Sequence, residues 1–133
     1  EALFDVIVSN PPYFADSLKC PDGQRNIARH TDSLDFDKLA ESAARLLHPE
    51  GAFSVIIPTD GKEFFLRAAT RYGLHLSHQT LIHTTPGADP KRVLLAFKFS
   101  VGQCVTDNLT IELSRHVYSE EYIALTKDFY LRM

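Results

Sequence analysis

Asn10-Pro11-Pro12-Tyr13 is the group of residues in this 133-residue chain whose types and spacing suit a defined reaction. An aromatic or amide nitrogen is a poor nucleophile, because its lone pair is delocalised into the ring or carbonyl. The side-chain oxygen of Asn10 and the backbone carbonyl of Pro11 can accept the two N–H bonds of such an amine. Held that way, its lone pair points at an incoming methyl group, and the pyramidal nitrogen of the transition state is favoured. Pro11 and Pro12 stiffen the turn, so the two acceptors are set before binding. Tyr13, with Phe14, supplies a ring that can stack on an extruded base. Taken alone, two prolines end a strand beside a packed aromatic. An asparagine before them, a tyrosine after them and a strand upstream favour the chemical reading.

The elements around this turn must place it. Phe4 to Ser9 is a short β-branched run that predicts a strand covered on both faces and ended by the prolines. Residues 15–34 are polar and predict a loop. Asp35 is the expected N-cap of a helix that carries Phe36, Leu39, Ala40, Ala43, Leu46 and Leu47 at helical spacing and ends at His48-Pro49-Glu50-Gly51. Ala52 to Ile57 predicts a second buried strand, closed by Pro58. Asp60 and Glu63 have the spacing of a capping box for a helix with Phe64, Phe65, Ala68, Ala69 and Tyr72, and Gly73 is placed to end it. Leu74–His83 and Arg92–Phe99 read as a hairpin pair joined by residues 84–91. Leu109–Leu113 alternates like an edge strand, and Ser119 is the expected cap of a last helix reaching Leu131.

This order predicts an α/β fold: half of a Rossmann-like sheet over residues 1–100, with parallel strands and a late antiparallel hairpin. Residues 101–133 form an extension packed on it. Ligands of such sheets lie outside the carboxyl ends of the strands, where Asn10 to Phe14 and the Pro58 turn fall.

The bulk properties narrow the class. A net charge of −3 and a pI near 6.1 exclude a surface that grips nucleic acid everywhere, so any RNA contact must be local. No apolar run is long enough to cross a bilayer, no leader pattern opens the chain, and the expected setting is cytoplasmic. Cys20 and Cys104 have no CxxC partner, and the six histidines form no HxxxH pair, so no disulfide framework and no metal site are expected.

Asn10-Pro11-Pro12-Tyr13 resembles the amino-methyltransferase motif of class I S-adenosylmethionine-dependent methyltransferases. Three further stretches are similar to the bacterial tRNA adenine-N6 methyltransferases that act beside the valine anticodon. They are Phe4 to Phe14 with Arg25 and Ala28-Arg29-His30, Leu46 to Pro58, and Tyr118 through Tyr130. The resemblance covers nearly the whole chain and implies methyl transfer to the N6 amine of an adenine in tRNA. It places Asn10, Pro11, Pro12 and Tyr13 at the reacting amine, Tyr13 and Phe14 on the base, and Arg25, Arg29 and His30 beside RNA phosphates. Lys91 and Arg92, at the hairpin end, can add to that basic patch.

One departure from the family pattern matters. The methyl donor needs a glycine-rich turn after a first strand, and the glycines here (23, 51, 61, 73, 87, 102) are isolated. Apart from Asn10, the main donor site is therefore expected upstream of Glu1. The chain is expected to be the C-terminal part of a longer enzyme, to bind the donor weakly alone, and to expose the Phe4–Ser9 edge to self-association. The same motif also serves methylation of a protein glutamine, as in release-factor methyltransferases, and of guanine-N2 in ribosomal RNA. A non-catalytic scaffold is the reading from another class.

Overall fold

A computed structural model describes residues 3–11, 35–114 and 117–126. Strand β1 (Phe4–Ser9) is followed, within the described residues, by helix α1 (35–46), β2 (Leu47–Pro58) and a 3₁₀ turn (Thr59–Gly61). Then come α2 (Lys62–Arg71), β3 (His75–His83), β4 (Arg92–Lys98) and β5 (Val105–Thr110). A short antiparallel pair, β6 (Glu112–Ser114) and β7 (Val117–Tyr118), and helix α3 (Glu120–Thr126) close the described chain.

The main sheet has the order β1-β2-β4-β3-β5. β1 runs parallel to β2, β4 is antiparallel to both β2 and β3, and β5 runs parallel to β3. The predicted α/β architecture with a late antiparallel hairpin is the observed one, and β4 inserts between β2 and β3.

Alternation explains which face is buried. Phe53, Val55 and Ile57 of β2 and Val93, Leu95 and Phe97 of β4 point to one face and are fully buried. Phe36, Ala40 and Ala43 of α1 and Phe65, Ala68 and Ala69 of α2 cover that face. Phe65 is the hub: its ring centroid lies 5.1 Å from Phe36, 5.6 Å from Phe97 and 6.0 Å from Phe53. Ring pairs at such distances contribute about 0.5–1.5 kcal/mol each beyond their buried area. Asp37 ties α1 to the end of α2, pairing with Arg71 and accepting a 2.6 Å hydrogen bond from the Tyr72 hydroxyl. That hydrogen bond holds the phenol pKa above its ordinary value.

Both predicted caps at later helix ends are formed. Gly73 has φ +83°, and the Leu74 and Gly73 N–H groups donate to the carbonyls of Ala69 and Thr70, closing α2. The Ser119 hydroxyl accepts the Tyr122 N–H at 3.1 Å and donates to the Thr110 carbonyl, which starts α3 and anchors it to β5. Residues 127–133, where that helix was expected to run on, lie outside the described residues.

Five expectations are corrected. Asp35 is already helical and so is not the N-cap. The Asp60–Glu63 capping box does not form: the Lys62 N–H bonds to the Thr59 carbonyl in a 3₁₀ turn, and Gly61 takes the N-cap position. Both carboxylates remain in the opening turns, where the helix dipole favours them. The edge strand is Val105–Thr110 rather than Leu109–Leu113: it pairs in parallel with β3 from His78–Val105 to His83–Thr110, and side-chain hydrogen bonds of His78 to Asp107 (2.9 Å) and Gln79 to Thr106 (3.0 Å) add to that ladder.

The fourth correction is β1. Among the described residues it is the outer strand of the sheet, and of its side chains only Ile7 packs against the core. Phe4, Val6 and Val8 are 50%, 65% and 71% exposed, since α1 and α2 lie on the opposite face. β2, the fifth, begins five residues earlier than predicted. Phe4 pairs with Leu47 and Val6 with Ala52, so Asp5 alone faces residues 48–51. Pro49 is tolerated in this irregular stretch, where no ladder donor is needed.

Gly51 sits at that stretch, buried. A Cβ there would lie 2.8 Å from the Asp5 carbonyl oxygen and 2.7 Å from Leu47 Cδ1. Gly51→Ala is therefore expected to push β1 off β2 and destabilise the protein by about 1–3 kcal/mol, the usual cost of overpacking. Urea denaturation measures this, and an unchanged midpoint would show that the strand pair absorbs a methyl group freely.

Candidate functional site

The register brings one set of residues to one end of the sheet. Ser9 pairs with Val55, so Asn10 follows at the carboxyl end of β1. β2 ends at Pro58, which pairs with Arg92, the first residue of β4. His83 and Thr110 close β3 and β5 at the same end. The carboxyl ends of β1, β2, β3 and β5 therefore meet the hairpin of residues 84–91.

Asn10 is exposed and Pro11 half-buried. Among the described residues the Asn10 amide is committed to no hydrogen bond. The amide lies at the surface, on the edge the sheet order predicts. Pro12, Tyr13, Phe14, Arg25, Arg29 and His30 lie outside the described residues, so the site is defined from the Asn10–Pro11 side and from the hairpin opposite.

That hairpin is fixed. The Thr59 N–H donates to the Lys91 carbonyl at 3.0 Å, and its hydroxyl donates to the Pro90 carbonyl at 2.8 Å. The Lys91 N–H bonds to the Ile82 carbonyl at 3.1 Å, and the Ala88 N–H to that of Thr85 at 3.1 Å. Gly87, at φ +79°, provides the turn. Lys91 and Arg92 are exposed, and neither lies within ion-pair distance of a carboxylate among the described residues.

His83 is a residue the sequence did not single out from six scattered histidines. Its Nδ1 lies 2.8 Å from the Ala88 carbonyl and its Nε2 2.8 Å from the Asn108 Oδ1. With an acceptor on each side, the imidazolium satisfies both, whereas a neutral ring leaves one without a donor. The Ala88 carbonyl first, then the Asn108 oxygen, raise the His83 pKa above its ordinary value; partial burial opposes them and the Asp89 charge adds. The available signal was its place at a strand end five residues before Ala88, across from a strand carrying Asn108. Asp107 behaves oppositely: hydrogen bonds from Thr80 and then His78 hold its carboxyl below the usual range.

Other chemistry is scarce here. Among the described residues no three His, Cys, Asp or Glu side chains are grouped to hold a metal, and no helix is long and apolar enough to cross a membrane. The described glycines do not form a turn that would cradle a nucleotide: Gly51 fills a contact within the sheet, and Gly73 and Gly87 serve turns. The described residues therefore form no such cradle for the body of S-adenosylmethionine.

No protein-family model matches the chain. It is 85% identical over all 133 residues to the tRNA1(Val) (adenine(37)-N6)-methyltransferase of Phocaeicola vulgatus and covers 57% of that protein. It is 52% identical over 130 residues, 98% of the chain, to the enzyme of the same name from Bacteroides fragilis, 55% of which it covers. The chain thus spans somewhat more than half the length of the curated relatives it matches. Among solved structures, a predicted O-methyltransferase from Agrobacterium tumefaciens superimposes with a TM-score of 0.67 at 20% identity, over 93% of this chain and 51% of that one. A methyltransferase from Pyrococcus furiosus gives 0.50 at 23% identity, over 76% and 43%. The fold is the class I methyltransferase fold.

The hairpin clamp has a pH dependence of definite sign. A raised folded-state pKa means that the stabilisation by His83 is fully present below its unfolded value of about 6.5 and is lost as pH rises through the folded value. NMR titration of the folded protein is expected to place the His83 midpoint above about 6.5, and His83→Gln should remove that component of the pH dependence. A midpoint at or below the unfolded value would refute the two-acceptor arrangement.

Proposed function

We propose that this chain, by similarity a segment of the tRNA1(Val) (adenine(37)-N6)-methyltransferase family, forms the acceptor-amine side of an S-adenosylmethionine-dependent tRNA methyltransferase. The observation that carries the reading is Asn10 followed by Pro11 at the carboxyl end of β1, with Asn10 exposed and without a hydrogen bond among the described residues, on the sheet edge where such folds bind ligands. The high similarity to the curated relatives supports the adenine N6 amine as the acceptor.

In this reading the Asn10 Oδ1 and the Pro11 carbonyl accept the two N–H bonds of the exocyclic amine. The prolines hold both oxygens in place, so no entropy is spent ordering them as the base arrives. Tyr13 and Phe14 stack on the adenine, and Arg25, Arg29 and His30 contact the RNA backbone. The donor supplies an electrophilic methyl group, and the groups that hold it belong to the part of the enzyme outside this chain. On its own the chain binds the donor weakly.

The experiment uses the full-length enzyme. Asn10→Ala is expected to lower kcat on tRNA by at least 10²–10³-fold, on the order of what one preorganised transition-state contact contributes. S-adenosylmethionine affinity should stay near wild type. Turnover at the wild-type rate would remove Asn10 from the mechanism. Parallel assays on tRNA and on a release-factor protein separate this reading from glutamine methylation, which asks the same of the two oxygens.

A further inference from the structure

Lys91 and Arg92 are unabsorbed by the amine chemistry, yet they stand at the same edge. Arg92 pairs with Pro58, and β2 alone separates β4 from β1. Two strand spacings of about 4.8 Å, combined with the offset along β2 from Val55 to Pro58, put the start of β4 on the order of 14 Å from the end of β1. A base held at Asn10 leaves its neighbouring phosphates within reach of long side chains from that position.

Three observations bear on what the pair does. Both residues are exposed, and both lack a carboxylate partner among the described residues. The backbone beneath them is tied on two sides, by Thr59 through the Lys91 and Pro90 carbonyls and by Ile82 through the Lys91 N–H. Four further residues, Thr85, Ala88, His83 and Asn108, lock the loop that leads into them. Two cations on a rigid tip contact a polyanion with little ordering cost. Asp60 and Asp89 are exposed at this end as well, so the pair acts by direct contact rather than through a long-range field.

We propose that Lys91 and Arg92 form a phosphate-contacting site, held by the hairpin, for the RNA strand flanking the base bound at Asn10. This rests on the tRNA reading and deepens it: it names a second element, on the same sheet edge as Asn10, that positions the substrate backbone. Phosphate contacts set register and carry no sequence information, so the site contributes affinity rather than choice of nucleotide.

The test measures binding of a fluorescein-labelled valine-tRNA anticodon stem-loop to the full-length protein over a range of salt concentrations. The wild type, the double variant K91Q/R92Q and the charge-keeping K91R/R92K are compared. K91Q/R92Q is expected to weaken binding and to reduce the slope of log Kd against log salt by about one for each residue lost. K91R/R92K should keep most of the slope, and a shared thermal midpoint separates a lost contact from a lost fold. If the wild type methylates tRNA while the K91Q/R92Q slope is unchanged, the phosphate site is refuted and the methyltransferase reading stands. If the wild type binds no RNA and methylates a release factor, the tRNA reading falls and this site with it.

Discussion

The packing of Phe65 against Phe36, Phe53 and Phe97 is the contact on which the rest of the structure depends. It joins α1, α2, β2 and β4 at one point. Strand side chains alternate with period two, so burying Phe53 and Phe97 fixes the face and register of both strands at once. That register sets Pro58 opposite Arg92, which brings the hairpin end to the carboxyl edge where Asn10 emerges. A slip of one residue in β4 would turn Val93, Leu95 and Phe97 to solvent. The core sets which residues meet at the edge, and the hydrogen bonds of Thr59 and His83 then fix the hairpin there.

How much of this was legible depends on where the information resides. Val93, Leu95 and Phe97 announced their strand because one buried face imposes strict alternation. Gly73 announced the end of α2 because the required positive φ suits glycine. Phe4–Ser9 was found with its true limits, yet its burial was misjudged. β-branched composition reports that a strand is stable, whereas its cover depends on its neighbours in the sheet. Val105–Thr110 was missed for a related reason. Asp107 and Asn108 are poor strand formers, and β5 is held by side-chain partners on β3 that lie 25 to 29 residues away.

The candidate site divides in the same way. Asn10 and Pro11 were legible as candidates because the proposed chemistry rests on adjacent residues, and the structure puts them on the expected edge. Thr59 and His83 were not, because each acts through a backbone carbonyl brought near by folding. Thr59 reaches Pro90, 31 residues on, and His83 reaches back to Ala88 in its own loop. Side-chain bonds to a carbonyl leave no trace in residue type, since every residue has that acceptor. Residues that shape a site this way are the ones that single-sequence reading is least equipped to find.

The exposed face of β1 bears on how Asn10 is held. Phe4, Val6 and Val8 share a face with Ile56 and Leu94, away from α1 and α2, and α3 reaches only the β3–β5 end of it. In the described residues β1 is therefore supported on one edge by β2 and on one face through Ile7. Beside the support that the described residues give β1, the covalent stiffness of the chain at residues 10–12 bears on how the Asn10 amide is placed. Proline at 11 fixes φ near −65° and, as a following proline, restricts the backbone of residue 10 to extended conformations. Proline at 12 does the same to residue 11. The two prolines therefore do more than end the strand: in the proposed reading, the restriction they place on residues 10 and 11 presets the two acceptor oxygens.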